Sequence, residues 1–287
     1  MISIIIINYK QKHFISQCVA SIYKHFNSYP FEVIIINNSV EENLYSLETS
    51  YPDLSVFENH NKGFSQANNL GVSYSKGDFI FFLNADTIVR SDFLKDFIDR
   101  FKNKTFGAVG LKLRNEDETF QLSFWKENTF INEITNKKSE KEFKEKNKIF
   151  IKKIENEFNN IAEADWVSGA AMIMRKQVFL DIGGFDENFF LYYEDADICK
   201  RLQLKNLKIY FYPFCSLIHF KGENVNKDFR DKASFYSKQS QLLYYKKHNK
   251  FADNLLLKSY LLGKFSIISM LTSGELNFKI LRMVIKS

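Results

Sequence analysis

Residues 79–86 read Phe79-Ile80-Phe81-Phe82-Leu83-Asn84-Ala85-Asp86, an apolar run that ends in two side-chain oxygens. Five large apolar residues without polar alternation are what a strand covered on both faces requires. The same signature recurs upstream in Ile2-Ser3-Ile4-Ile5-Ile6-Ile7 and Val33-Ile34-Ile35-Ile36, with a weaker strand at Leu54–Phe57. Between these runs Ile15, Val19, Ile22 and Phe26 recur at spacings of three and four, which predicts a helix over about 12–27. A segment opened by Gly63 reads as helix to about Ser75. Doubly covered strands alternating with helices predict an α/β fold, a mostly parallel sheet flanked by helices.

Downstream, a helix over about 91–103 and a strand at Ala108–Leu113 continue the alternation. From about 126 to 160 the chain turns to Lys, Glu and Asn, which predicts an exposed, mobile insertion. Order is expected from Ala164 through about Glu223, so the chain divides into a domain over 1–225 and a helical C-terminal extension over 226–287. In that extension Phe229–Lys250 is aromatic and basic, and Leu255–Ile285 mixes apolar residues with Lys258, Lys264, Lys279 and Arg282. Two accounts fit it. The helices lie on an anionic membrane surface or against a second subunit, or they pack on the domain's own core.

Composition excludes several classes. Hydrophobic residues at 45% and charged residues at 26% over 287 residues describe a globular protein, not a disordered one. Cys18, Cys199 and Cys215 are scattered without a CxxC pair, which fits a reducing compartment and argues against a disulfide framework or zinc site. The N-terminus lacks a basic n-region and a small-residue cleavage site. No stretch reaches the roughly 20 apolar residues of a membrane span. The expectation is a cytoplasmic protein, either free or peripheral on the inner face of the plasma membrane. The net charge of +6 is modest and needs no nucleic-acid partner.

Three constellations carry chemistry. Asn84 and Asp86 stand two apart at the end of a strand, so both point to one side at the carboxyl edge of the sheet, where open α/β folds bind ligands. Their oxygens suit Mg²⁺ or Mn²⁺ on a diphosphate; equally, Asx residues end many strands as turn formers. In Asn61-Lys62-Gly63-Phe64-Ser65-Gln66-Ala67-Asn68-Asn69, Gly63 permits close backbone approach and the following helix N-terminus favours an anion. Neither GxGxxG nor GxxxxGK[ST] occurs, which removes the main support for a dehydrogenase or P-loop enzyme. Finally, Gly183-Gly184-Phe185-Asp186-Glu187 leads to Tyr193-Glu194-Asp195-Ala196-Asp197, acids set among Phe189, Phe190, Tyr192 and Tyr193. The aromatics suit a sugar face, and a desolvated carboxylate suits a general base. Asp197 has a plainer role available, pairing Arg201 at i,i+4.

Taken in order, Ser3-Ile4-Ile5-Ile6-Ile7-Asn8-Tyr9, Asn61-Lys62-Gly63-Phe64, Leu83-Asn84-Ala85-Asp86, Trp166-Val167-Ser168-Gly169-Ala170, Gly183-Gly184-Phe185-Asp186-Glu187 and Glu194-Asp195-Ala196-Asp197 resemble glycosyltransferase family 2, in particular its bacterial rhamnosyltransferase-like branch. The resemblance covers about residues 1–222 outside the insertion. It implies a GT-A-type, Rossmann-like fold and an inverting transfer from a nucleotide-diphospho-sugar, dTDP-rhamnose or a UDP-sugar. The acceptor it implies is a hydroxyl of a glycan or lipid-linked saccharide, as in O-antigen or capsule synthesis. By that resemblance Asp195 is the catalytic base and Glu194 its partner. Asn8, Tyr9, Asn37, Asn38, Lys62, Gly63, Asn68, Asn84 and Asp86 face the donor nucleotide. Asp86 and His219 hold the divalent metal, Mn²⁺ or Mg²⁺. Trp166, Gly169 and Tyr193 lie toward the acceptor. One position departs from the pattern: Asn37, with Asn38 and Ser39, stands where the family has a base-reading Asp, and an amide can pair with a pyrimidine edge.

Two rival functions share the fold. A sugar nucleotidyltransferase is expected to carry a Gly-rich basic loop after the first strand, but Asn8-Tyr9-Lys10-Gln11-Lys12 has no glycine. A non-catalytic binding protein would have no use for Asp86, Asp195 and His219.

Overall fold

In the computed structural model, which describes residues 1–221, 227–271 and 274–287, the apolar run at residues 79–84 is the fourth strand of the chain. The elements run β1 (Ile2–Asn8), α1 (Lys12–His25), β2 (Phe31–Asn37), α2 (Tyr45–Ser50), β3 (Leu54–Glu58), α3 (Phe64–Tyr74), β4 (Phe79–Asn84), β5 (Thr87–Val89), α4 (Leu94–Phe101) and β6 (Ala108–Arg114). There follow β7 (Phe120–Gln121), β8 (Phe124–Trp125), α5 (Phe130–Lys144), α6 (Lys148–Glu157), β9 (Ala162–Ala164), β10 (Trp166–Val167), β11 (Ala171–Arg175), α7 (Lys176–Asp181), α8 (Glu194–Leu204) and β12 (Ile209–His219). Three helices close the chain, α9 (Lys227–His248), α10 (Phe251–Leu271) and α11 (Glu275–Lys286). None of the helices among the described residues is long and apolar enough to cross a membrane.

The main sheet has the order β3-β2-β1-β4-β11-β6-β12-β5, with β7 on β6 and β9 on β12. β3, β2, β1 and β4 are parallel; β11 enters antiparallel to both β4 and β6, and β6 and β12 resume the parallel direction. The alternation of the strand divides its residues between two cores. Ile2, Ile4 and Ile6 join Ile15, Val19 and Ile22 of α1 and Phe97 and Phe101 of α4. Ile5 and Ile7 join Ala67 and Val72 of α3, Phe179 of α7 and Ile198 of α8. Each fully buried isoleucine stabilises the sheet by roughly 1.5–3 kcal/mol, which is why the strands read so plainly in the sequence.

The segment at 126–160, expected as a mobile insertion, is instead two helices. Thr129 caps α5 by accepting the Asn132 amide at 3.2 Å, and Phe143, Ile151, Ile154 and Phe158 pack partly buried against the core beneath α3 and α8. The sparse apolar residues suffice because both helices lie on ready-made surfaces. The C-terminal helices bear out the core-packing account of the extension on one face. Tyr244 and Tyr245 of α9, Leu257 and Leu261 of α10, and Ile280 and Val284 of α11 close a third apolar cluster around Phe189 and Ala196. The expected boundary at 225/226, and Glu223, lie outside the described residues.

Candidate active site

The parallel registers bring the strand ends level: Asn8 stands opposite Asn37, and Ile7 opposite Asn84. Beyond Asn84 the chain turns, with the Thr87 hydroxyl donating to the Asn84 carbonyl at 2.7 Å, and returns as β5 beside the end of β12, Thr87 opposite His219. That turn sets Asp86 against His219, the Asp86 Oδ1 lying 3.3 Å from the His219 Nε2. The Asn84 amide nitrogen is also 3.3 Å from Nε2. Gln121 fixes the ring from behind: its Oε1 lies 2.7 Å from Nδ1, and its amide donates to the His219 carbonyl at 3.0 Å.

With Nδ1–H donated to Gln121, the other ring nitrogen, Nε2, faces the Asp86 carboxylate and the Asn84 amide. The Asp86 carboxylate and the His219 imidazole are thus a pair whose atoms would ligate a cation. The Asn84 Oδ1 beside them is buried and has no hydrogen-bond partner. No group of three His, Cys, Asp or Glu able to hold a metal occurs among the described residues. The set therefore suits a hard cation that takes one carboxylate from the protein and its remaining ligands from phosphate and water.

The opposite wall is the N-terminus of α8. Tyr192 and Tyr193 both sit in the left-handed region, at φ 68 and 66, and swing the chain directly into Glu194 and Asp195. Consecutive non-glycine residues held there store strain of the kind found at functional sites. Asp195 Oδ2 accepts the Gly169 amide at 3.0 Å, and Oδ1 accepts the Ala196 amide at 2.8 Å. Burial raises its carboxyl above the ordinary range in spite of these donors. Glu194 is 5% exposed and its Oε2 lacks a partner; burial, then the charge of Asp195, raises it well above the ordinary value. Two adjacent carboxylates that give up protons reluctantly are suited to taking one from a hydroxyl.

Tyr192 joins the two walls. Its phenol is raised by burial and then by the charges of Glu194 and Asp86, so one hydroxyl lies within electrostatic range of both constellations. Asp86, Asn84, His219, Gly169, Glu194 and Asp195 line a single cleft of about 860 Å³, together with Tyr9 and Asn38. Its remaining wall is the start of α9, where Phe229, Arg230 and Lys232 line it and Tyr236 stacks on Phe190 at 4.3 Å.

Seven expected residues stand elsewhere. Asn37 is wholly buried, accepting the Asn8 amide at 2.8 Å and donating to Glu58 at 2.9 Å and to the Glu42 carbonyl at 2.9 Å, so its amide cannot read a base. Asn8 is likewise buried beneath it. Asn68 donates to the Phe64 carbonyl within α3. Lys62 is exposed outside the cleft. Gly63, at φ 107, serves close packing: a Cβ there would stand 2.7 Å from the Phe190 carbonyl oxygen, which accepts the Phe64 amide at 2.8 Å. That bond occupies the first amide of α3, where an anion was expected. Trp166 stacks on Trp125 at 4.3 Å and donates to the Lys126 carbonyl. The hydroxyl of Tyr193 turns from the cleft to donate to Glu133 at 2.9 Å, leaving Tyr192 to face inward.

Sequence reasoning missed Gln121, Arg230 and Lys232. Gln121 carries no local signal, since only the fold brings it to a histidine 98 residues away. For the two cations the signal existed in the aromatic, basic stretch from Phe229, but nothing in it pointed to the cleft.

A model of the family described as glycosyl transferase family 2 matches residues 3–179, and one described as the N-terminal domain of galactosyltransferase matches residues 152–223. The rhamnosyltransferase WbbL of Escherichia coli K12 is 27% identical over 261 residues, covering 85% of this chain and 92% of its own. The dTDP-rhamnosyl transferase RfbF of Shigella flexneri is 22% identical over 205 residues, covering 68% of this chain and 62% of its own. Among solved structures, the mannosyltransferase PcManGT of Pyrobaculum calidifontis, in complex with GDP-Man and Mn²⁺, superposes with a TM-score of 0.59 at 13% identity. The match covers 87% of this chain and 65% of that one, and establishes a shared fold.

Proposed function

The chain belongs to glycosyl transferase family 2, and from that premise we propose that it is an inverting glycosyltransferase acting on a nucleotide-diphospho-sugar, dTDP-rhamnose first and a UDP-sugar second. The acceptor is a hydroxyl of a glycan or lipid-linked saccharide in bacterial surface polysaccharide synthesis. The rhamnosyl names of WbbL and RfbF support the donor. Three buried, unpaired cysteines support a reducing, cytoplasmic setting.

One observation carries the proposal: Asp86 with His219, and Asp195 with Glu194, face a common cleft. Asp195 accepts the proton of the acceptor hydroxyl as that oxygen attacks the anomeric carbon and the bond to the diphosphate breaks. The Gly169 and Ala196 amides hold the Asp195 carboxylate in place for this, and Glu194 beside it opposes a second charge and keeps the pair basic. Tyr9 and Asn38 line the donor end. Asp86, His219 and Asn84 would hold a divalent cation, which supplies charge neutralisation for the leaving diphosphate.

The test is the melting temperature of the full chain with UDP, dTDP, GDP and CMP, each with and without Mn²⁺. A nucleotide at about 100 times its Kd stabilises by ~2.7 kcal/mol. Stabilisation by dTDP or UDP that Mn²⁺ enhances, and that enhancement lost in Asp86→Ala, is the expected result. Asp195→Asn should keep the shift and lose sugar transfer. Loss of both together removes Asp195 from the role of base.

A further inference from the structure

The C-terminal helices carry a charge unlike the rest of the chain. Residues 227–287 hold twelve of the 40 lysines and arginines but four of the 34 acids, a net charge of +8 within a chain of +6. The preceding 226 residues are therefore slightly acidic. Such asymmetry marks a segment whose partner is anionic.

In the fold the cations converge. A groove of about 1180 Å³ between α9, α10 and α11 is lined by Lys246, Lys258, Lys279, Arg282 and Lys286, and by no acid. Lys279 pairs with the exposed Glu275 at 2.8 Å; the other four make no ion pair among the described residues. Apolar side chains stand beside them. Phe251 and Leu255 of α10 line the groove yet are 83% and 54% exposed, and elsewhere on α10 and α11 Met270 and Ile285 are 85% and 68% exposed. The third apolar cluster occupies only the inner faces of these helices, so their outer faces remain amphipathic.

We propose that the face formed by α10, α11 and the second half of α9 docks on a bilayer containing anionic lipid. Cations flanking exposed aromatic and aliphatic side chains match the boundary between headgroups and acyl chains, where the charge meets phosphate and the apolar tips enter hydrocarbon. A soluble polyanion would account for the lysines and leave Phe251 and Ile285 unexplained. A second copy of the chain would bring +8 against +8. The geometry gives the docking a use. The first half of α9 lines the cleft, from Phe229 to Ser237, and the second half lines the groove, to Lys246. Sixteen residues of helix separate Arg230 from Lys246, about 24 Å at 1.5 Å per residue. A docked protein thus holds its cleft within that reach of the membrane surface.

The inference rests on this surface alone, so its failure would leave the transfer reaction standing. Its test is flotation of the full chain, without donor or acceptor, with vesicles of phosphatidylcholine alone or with about one-third phosphatidylglycerol, a charge density that attracts basic surfaces. Binding is expected only to the anionic vesicles and should weaken as salt rises. Each cation removed should lower partitioning about fivefold, so Lys258→Gln with Arg282→Gln lowers it about 25-fold. Lys205→Gln, outside the groove, should change nothing. Melting curves establish that the variants are folded, and the salt titration of the unaltered chain needs no variant. Equal binding to both vesicle types, unaltered binding of the double variant, no binding at all, or a dimer in light scattering that dissociates in the double variant overturns the proposal.

Discussion

Gly63→Ala separates a packing role for this glycine from a nucleotide-binding one. The backbone there, at φ 107 and ψ 169, lies where side chains other than glycine's cost about 1–3 kcal/mol. The added Cβ would also meet the Phe190 carbonyl oxygen at 2.7 Å and its Cα at 2.9 Å, both backbone atoms, so relief requires moving the chain. Overpacking of that kind costs about 1–3 kcal/mol more. At about 2.1 cal/mol/K per residue, the unfolding entropy of a chain this size is roughly 0.6 kcal/mol/K, so a loss of about 3–4 kcal/mol lowers Tm by about 5–7 °C. Gly183→Ala supplies the comparison. It shares the positive φ, at 82, but its Cβ would meet nothing within 4 Å. Only the conformational cost of about 1–2 kcal/mol remains, or about 2–3 °C. The displaced segment runs on to Glu194, so sugar transfer in Gly63→Ala should fall further than stability explains, with nucleotide affinity retained. Calorimetry of both variants and nucleotide titration of the first decide it. Equal melting shifts would refute the contact, and lost nucleotide affinity in a chain of native stability would refute the packing role.

Three further outcomes follow from the site. Burial raises Glu194 and Asp195, so the folded state binds protons the unfolded chain releases; that stabilisation is complete below about pH 4 and is lost as pH rises through the raised values. Glu194→Gln should therefore raise Tm at pH 8 and not at acid pH, while wild-type transfer falls on the acid side with an apparent pKa above the ordinary carboxylate range; a midpoint within that range would count against the base. Asp197 behaves oppositely: burial pushes it up, but the hydrogen bond from His248 and the charges of Arg201 and Lys247 outweigh burial and hold it low. Its stabilisation is present above the unfolded pKa and fades as pH drops, so Asp197→Ala should cost about 3–5 kcal/mol at pH 7 and progressively less in acid; a pH-independent loss contradicts the ion-pair account. Glu133→Ala strands the Tyr193 hydroxyl and the Gln241 amide, about 1–3 kcal/mol each, and should lower kcat while sparing nucleotide affinity, whereas an unchanged kcat would sever α5 from the catalytic wall.

β1, β2 and β4 were legible because each is a short run of isoleucine, valine or phenylalanine with nowhere to go but a doubly covered sheet, whereas β7 to β12, short or interrupted by polar residues, were not read as strands. Asp86, Glu194 and Asp195 stood out in the sequence through the acids set among aromatics and through the family resemblance, while that they line one cleft came only from the fold. Asn37 and Asn68 misled because an amide looks the same in sequence whether it meets a ligand or ties two strands. Tyr193 and Tyr192 could not be told apart, because which of two tyrosines faces the cleft depends on a left-handed turn that no periodicity announces. The helices at 130–157 went unread because their apolar residues are too few to hold a helix alone and work only against surfaces built by distant parts of the chain.

The antiparallel entry of β11 between β4 and β6 has a consequence during synthesis. β4 carries three phenylalanines, and its free edge is closed by Ala171–Arg175, nearly ninety residues later. At about 5–20 residues per second a ribosome takes roughly 5–20 s to deliver that partner. Through that interval β1, β2 and β3 can already be zipped together while Phe79–Leu83 offers an unpaired edge, the kind of surface on which nascent chains aggregate. The strand that carries Asn84 to the cleft is thus also one that leaves the growing polypeptide with an unpaired edge over that interval.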